Sequence, residues 1–172
     1  MSIFARLFRA STDPREALRP LWHKVVEISR QEHWYATDGV ADTVAGRFDM
    51  ITAVLSLVLI RMEREENLIQ PSVWLTELFV EDMEGQLRQS GVNDVVVGKR
   101  MGQLMSVLGG RLGAYRDGLA QHDEATLCAA IQRNVSLLDG YEPKPLANEL
   151  RALAARLDAT EPTALLEGTV AP

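Results

Sequence analysis

The stretch that decides the fold is residues 50–60, which reads Met-Ile-Thr-Ala-Val-Leu-Ser-Leu-Val-Leu-Ile. Apolar side chains continue at helical spacing on either side of it, at Phe48 and Met62. A helix that is apolar on most of its faces belongs in the centre of a protein core. The stretch is shorter than the roughly 20 residues that cross a bilayer, and it contains Thr52 and Ser56. It therefore predicts a buried central helix.

Helical periodicity also dominates the rest of the chain, and no segment alternates convincingly in the way a β-strand does. We expect helices over residues 13–32, 42–65, 72–91, 93–119, 123–138 and 146–157, joined at 33–42, 67–71 and 141–145. Pro20 predicts a kink or a second start within the first of these helices. The pattern as a whole predicts an all-α fold, a single compact domain of about six helices.

The two ends of the chain differ from this pattern. The first nine residues place Ile3, Phe4, Leu7 and Phe8 on one helical face and Arg6 and Arg9 on the other. Basic amphipathic segments bind membrane surfaces, although two turns are equally compatible with a segment that caps the fold or with plain disorder. We expect a flexible amphipathic segment over residues 1–12, the helical domain over 13–160, and a disordered tail over 161–172.

One predicted helix, residues 93–119, is unusually rich in glycine. Its glycines are Gly98, Gly102, Gly109, Gly110 and Gly113. Each costs about 1 kcal/mol relative to alanine in a helix interior. Close approach of another backbone is a physical reason to keep them. We expect tight packing inside the protein, with a groove for a partner helix as the alternative.

Composition limits the possible functions. The 172-residue chain has a net charge of −6, so it lacks the broad basic field that attracts nucleic acid, and we expect no sequence-specific nucleic-acid binding. Its single cysteine, Cys128, excludes an intramolecular disulfide. The N-terminal sequence has no continuous apolar region of the kind that secretory signals carry, so we expect a cytoplasmic protein.

The usual catalytic and metal-binding motifs are absent from the sequence. The three histidines, His23, His33 and His122, do not have the spacing of a zinc helix or of a di-iron bundle. Neither a nucleophile elbow nor a phosphate-binding loop of the Walker type occurs. We expect no enzyme, no cofactor, no metal and no small-molecule substrate. A cryptic enzyme that acts on a quinone or a haem precursor is the alternative.

The most specific pattern lies just before and within the start of the central helix. Residues 34–50 read Trp-Tyr-Ala-Thr-Asp-Gly-Val-Ala-Asp-Thr-Val-Ala-Gly-Arg-Phe-Asp-Met. By periodicity alone this is an ordered loop that leads into a helix capped by Asp42 or Thr43. Further pieces follow in order: Asp82-Met83, Leu87-Arg88, Gly91-Val92-x-Asp94, Val97-Gly98-Lys99-Arg100, Gly110-Arg111 with Tyr115, and Arg133-Asn134.

Together these residues resemble the ubiquinol–cytochrome c chaperone family, over about residues 21–135. That family has an aromatic pair, then Gly-Val-x-Asp-Thr-x-x-Gly-Arg-Phe-Asp, then an apolar helix. The resemblance implies a compact all-α domain that acts as a non-catalytic assembly chaperone for ubiquinol–cytochrome c reductase. Its implied client is newly made cytochrome b, with the ribosome or the inner face of the membrane as a further contact. A generic helical interaction or regulatory module with a different client is the alternative.

The candidate client-binding residues come from this loop, from the start of the central helix and from two later helices. They are Trp34, Tyr35, Gly39, Val40, Asp42, Thr43, Gly46, Arg47, Asp49, Asp82, Arg88, Asp94, Lys99 and Arg100. A soluble helper of a membrane protein needs an apolar or glycine-lined groove with polar groups fixed beside it.

A purely structural role is the alternative for each of these residues. Asp42 and Thr43 would then only cap the helix, and Gly46 would only permit close packing. Arg47 would pair with Asp49 or with Asp82. Asp82 lies close to the apolar stripe of its helix and needs an arginine partner. The candidate partners are Arg47, Arg88, Arg100 and Arg111.

Overall fold

The computed structural model describes residues 13–89, 91 and 93–171, without the side chains of residues 94 and 95. Within these residues the chain forms a 3-10 helix, Pro14–Leu18, followed by α1 (Arg19–Ser29), α2 (Glu32–Ala36), α3 (Val44–Met62), α4 (Glu66–Gln89), α5 (Asp94–Ala120), α6 (Ala125–Asn134), α7 (Lys144–Asp158) and α8 (Pro162–Leu166). Six of these helices have ten or more residues, and the described part contains no strand. The predicted all-α, single-domain fold is confirmed. The N-terminal segment expected over residues 1–12 lies outside the described residues.

Helix α3 is the centre of the molecule, as residues 50–60 predict. Every residue from 49 to 62 is buried, and α3 packs against α1, α4, α5 and α7. Its start is capped by Thr43, whose Oγ1 accepts a hydrogen bond from the Gly46 amide at 3.1 Å. A helix surrounded in this way buries apolar surface on every side, which explains why its sequence shows no polar face.

Two prolines of the neighbouring helices differ in their position. Pro20 lies in the first turn of α1, where a proline needs no amide partner, so it marks a second start after the 3-10 helix. Pro71 lies inside α4, which begins at Glu66. The prediction of a connection at residues 67–71 is therefore wrong. As the sixth residue of α4, Pro71 has no amide to donate to the carbonyl of Asn67, so one intrahelical bond is lost there.

Helix α6 ends earlier than its periodicity predicts, because the backbone after it pairs with the loop before α3. The amide of Ala41 donates to the carbonyl of Ser136 at 2.8 Å, and the amide of Leu138 donates to the carbonyl of Gly39 at 2.8 Å. Val135 is already extended. These long-range bonds replace the last turn of the predicted helix over 123–138.

The C-terminal residues differ from the expected disordered tail. Pro162–Leu166 form α8, which packs on α1, and Leu165 is fully buried. Gly168 has φ +74°, and a Cβ there would lie 2.6 Å from the carbonyl oxygen of Pro20. The amide of Ala171 donates to Thr160 Oγ1 at 3.0 Å. A helix of five residues is too short to show periodicity, so the sequence alone did not reveal it.

A buried arginine fastens the end of α7 to α3. Arg61 Nε donates to the carbonyl of Leu157 at 3.1 Å, and its Nη2 donates to the carbonyl of Thr160 at 3.1 Å. Glu65 balances the charge with an ion pair of 2.6 Å. A cation at a helix C-terminus satisfies carbonyls that have no partner within the helix.

The glycines of α5 do not have the role that the sequence predicts. A Cβ built at Gly98, Gly102, Gly109, Gly110 or Gly113 meets no atom of the described residues within 4 Å outside its own helix. Tight internal packing at these positions is therefore wrong, and they leave an open strip along α5. The close approach occurs instead at Gly118, where a Cβ would lie 2.8 Å from Cα of Leu127 on α6.

The packing of α8 gives a direct test of the ordered C-terminus. We expect Leu165→Ala to lower the free energy of unfolding by about 2–5 kcal/mol, because it leaves a cavity between α8 and the core. Thr163→Ala changes an exposed residue of the same helix and should stay within about 0.5 kcal/mol. Urea denaturation of both variants measures this. An unchanged Leu165→Ala protein would mean that residues 161–171 are not packed.

Candidate functional site

The aromatic pair of the motif anchors the chain between α1 and α3. Trp34 is buried on α2, and its Nε1 donates to the carbonyl of Ile28 at 2.6 Å. The hydroxyl of Tyr35 donates to the carbonyl of Ser29 at 2.7 Å. Both bonds satisfy carbonyls at the C-terminal end of α1. The short helix α2, which periodicity did not predict, positions these two rings against the end of α1.

The two glycines of the motif are required by close contacts. Gly39 has φ +79°, and a Cβ there would overlap the ring of Tyr141. A Cβ at Gly46 would overlap the carbonyl oxygen of Ala41. Val40 between them is fully buried. These three residues pack the loop against the rest of the domain. A partner that binds here would contact their neighbours instead.

Asp49 is the centre of a buried polar network. Its Oδ1 accepts a hydrogen bond from Arg111 Nη2 at 2.6 Å. Its Oδ2 accepts from the backbone amide of Ser136 at 2.9 Å and from the Ser136 hydroxyl at 2.8 Å. The carboxylate thus joins α3, α5 and the segment after α6. Because charge and hydrogen bonding are both supplied, its burial is tolerated.

The other atoms of this network continue along α5. Arg111 also donates from Nη1 to the Thr52 hydroxyl, and its guanidinium lies 5.4 Å above the centre of the Phe48 ring. The hydroxyl of Tyr115 lies buried beside it and makes no hydrogen bond within the described residues. Burial raises the pKa of Tyr115, so this phenol stays neutral at physiological pH.

Arg47 pairs with Asp42, so the prediction of Asp49 or Asp82 as its partner is wrong. The Arg47 Nε and Asp42 Oδ1 atoms are 2.6 Å apart, and both side chains are more than half exposed. The guanidinium lowers the pKa of Asp42. Tyr35 shares a shallow surface pocket with this ion pair. Thr43 caps the helix, and Asp42 forms an ion pair with Arg47.

The remaining predicted residues lie apart from the loop. Asp82 is half-buried in a shallow groove between α1 and α4. The arginines proposed as its partners bind elsewhere, Arg88 to Glu84 at 2.7 Å and Arg111 to Asp49. Lys99 and Arg100 are exposed on α5. The backbone of Asp94 begins that helix, and its side chain is not among the described ones.

An apolar groove opens where the start of α3, the end of α4 and the first half of α5 meet. We call it the arginine-rimmed groove. Its apolar lining is Val44, Phe48, Ile51, Met83, Leu87 and Leu104, and its arginines are Arg30, Arg47 and Arg100. Its volume is about 840 Å³. Val44 is 89% exposed, which is unusual for a valine in the first turn of a central helix.

Among the predicted client-binding residues whose side chains the structure describes, this groove contains two, Arg47 and Arg100. Its apolar lining was missed because periodicity assigns Met83 and Leu87 to an inner stripe, and only three-dimensional packing reveals that the stripe runs past the end of the core. One signal was visible: Val44 follows the cap Thr43 directly and stands four residues before Phe48 and seven before Ile51, so the apolar face continues to the very start of the helix.

Two further searches concern other kinds of site. Within residues 13–89, 91 and 93–171, no cluster of three or more histidine, cysteine, aspartate or glutamate side chains has the geometry to hold a metal ion. None of the helices in the described part of the chain combines the length and the hydropathy that a membrane span requires.

Comparisons with known proteins agree with the motif. The family model for the ubiquinol–cytochrome C chaperone matches residues 37–171, so the chain belongs to that family. The match begins after the aromatic pair and includes α8. The crystal structure of the Cbp3 homolog from Brucella abortus is similar, with a TM-score of 0.81 at 29% sequence identity, over 98% of this chain and 96% of that one. A comparison with curated proteins gives no match.

The buried network predicts a large difference between two aspartates of the motif. Asp49→Ala should lower the free energy of unfolding by about 3–5 kcal/mol, because it leaves Arg111 buried without its counter-charge. Asp42→Ala removes an exposed ion pair and should cost at most about 1 kcal/mol. Urea denaturation followed by tryptophan fluorescence measures both.

The double variant Asp49→Ala/Arg111→Met separates the charge from the packing. It should be more stable than Asp49→Ala alone, since no unpaired charge remains buried. Equal losses for Asp42→Ala and Asp49→Ala would refute a structural role for the network.

Proposed function

We propose that the protein is a non-catalytic chaperone that binds newly made cytochrome b during the assembly of ubiquinol–cytochrome c reductase, and that the arginine-rimmed groove holds the client. The observation that carries the proposal is the combination, in one open groove, of an apolar lining with three arginines at its edge. The family to which the chain belongs supports the assembly pathway. The proposal adds the client and its place of binding.

The lining of the groove suits an apolar helix. Helix-in-groove recognition depends on a few apolar anchors, and the groove offers Phe48, Ile51 and Leu104 as its floor. Met83 adds a flexible side chain that adapts to different apolar partners. A membrane protein that has not yet been inserted exposes helices of this kind. The open side of the groove also allows release without unfolding of the chaperone.

The exposed face of α5 extends this apolar surface. Val96 and Val107, each about 40% exposed, stand three or four residues from Arg100 and Gln103 on the same face of that helix. Gly110, three residues after Val107, presents no side chain, so the backbone of a client helix can lie close to α5 there. Apolar surface of this extent on a folded protein marks an interaction site.

The arginines at the edge of the groove favour one orientation of a bound helix. Arg30, Arg47 and Arg100 favour carboxylates and the carbonyl end of a bound helix, which carries partial negative charge. Charges at the rim of an interface change the association rate and the orientation more than the affinity. In this proposal the protein works in the cytoplasm or at the inner face of the membrane, where the client emerges.

A single charge in the groove tests the proposal. Val44→Asp should reduce the amount of cytochrome b that co-purifies with the protein from membranes solubilised in mild detergent by about tenfold or more, since a buried carboxylate opposes binding. The fold should be unaffected, because Val44 is 89% exposed.

Ile69→Asp is the matched control. Ile69 is 54% exposed on α4 and does not line the groove, so this variant should bind as the unchanged protein does. Recovery of cytochrome b that is equal for both variants would remove the groove from the proposal.

A strain without the gene should also lose cytochrome b and keep other respiratory complexes. Unchanged cytochrome b in that strain, with a different client recovered, would identify a helical interaction module instead.

A further inference from the structure

A second groove lies between α4 and α5, and its charge is opposite to that of the first. We call it the acidic groove. Its floor is Leu59, Val73, Val80, Met105 and Leu112, and its glutamates are Glu63, Glu77, Glu81 and Glu84. Its volume is about 650 Å³. Val73 is 46% exposed at the floor. Arg15 is the only cation among the described lining residues.

The glutamates are not equally available to a partner. Glu63 pairs with Arg116 at 2.7 Å, and Glu84 pairs with Arg88 at 2.7 Å. Glu81 lies 3.1 Å from Arg15 and 3.4 Å from Arg19. Within the described residues, Glu77 has only Arg15 Nε at 3.9 Å, and its side chain is half exposed. Glu77 is therefore the carboxylate most open to a new cation.

The start of the described chain lies at this groove. The 3-10 helix Pro14–Leu18 packs on α4, and its Arg15 forms part of the groove wall through Glu77 and Glu81. The chain that precedes Asp13 therefore begins beside the acidic groove. Its sequence has the complementary chemistry, with Ile3, Phe4, Leu7 and Phe8 as apolar residues and Arg6 and Arg9 as cations.

We propose that the acidic groove is the docking site for residues 1–9 of the same chain. The apolar residues of the segment would cover Val73 and Met105, and an arginine would pair with Glu77. Reach is no obstacle, since each residue between Arg9 and Asp13 spans up to about 3.3–3.6 Å. Attachment to the same chain makes docking intramolecular, so weak contacts suffice at the high effective concentration of a short linker.

Hydrogen exchange of the full-length protein, read by mass spectrometry on the peptide that contains residues 1–9, tests the docking. We expect these amides to exchange more slowly than those of a free peptide with the same sequence. Val73→Asp should abolish the protection, because it places a carboxylate under the apolar residues. Glu77→Lys should reduce the protection about two- to fivefold, the range of an exposed ion pair.

Charge exchange makes the test specific. The variant Arg6→Glu/Arg9→Glu should lose protection, and its combination with Glu77→Lys should restore part of it. Glu142→Lys changes an exposed glutamate outside the groove and should have no effect.

Three outcomes would overturn the proposal. The first is exchange of residues 1–9 at the rate of the free peptide. The second is protection that appears only with vesicles of anionic lipid, which would make the segment a membrane contact. The third is protection that rises with protein concentration, which would indicate a second copy as the occupant.

Discussion

The architecture depends on the carboxylate of Asp49. A charge buried near the start of a central helix is strongly destabilising unless it is fully paired, and the three bonds to Arg111 and Ser136 provide that pairing. Each bond also fixes an element. Arg111 holds α5 against α3, and Ser136 brings the segment after α6 to the loop before α3. The backbone pairing of residues 39–41 with 136–138 then follows from this arrangement.

This constraint also shapes the surface where we place the client. Arg111 lies over Phe48. The arginine that holds α5 against α3 therefore also contacts a side chain that lines the arginine-rimmed groove. The first half of α5 extends past that anchor with exposed apolar residues and open glycines. A rigid second half and an open first half allow one helix to serve both the core and the binding surface. Some motif residues, such as Val44 and Phe48, line this groove, and others, such as Thr43 and Asp49, support it from below.

Much of the fold could be predicted because its signals are local. Residues 50–60 identified the central helix, the pair Asp42 and Thr43 located its cap, and the motif identified the family. The site could not be predicted in the same way, since its contacts are distant in sequence. Asp49 and Arg111 are 62 residues apart, and Ser136 is 87 residues from Asp49. Nothing in the periodicity of one helix reveals which arginine of another will meet it.

The differences between sequence and structure have the same origin. Glycine spacing predicted close packing, but whether a neighbouring backbone is present depends on the tertiary arrangement, and α5 has none at those positions. The five residues of α8 are too few for a periodic pattern, and burial of Leu165 against the domain orders them. Polar motif residues were expected to meet the client, whereas several of them hold the loop in place. In each case tertiary contacts outweighed a local signal.

Crosslinking tests most directly the claim that the client lies in the arginine-rimmed groove. A photoreactive amino acid would be placed at position 44, in the groove, and in a separate protein at position 69, outside it. Irradiation during synthesis of cytochrome b should give a covalent product with cytochrome b from position 44 and little or none from position 69. Equal crosslinking from both positions, or a product from position 69 alone, would contradict the account.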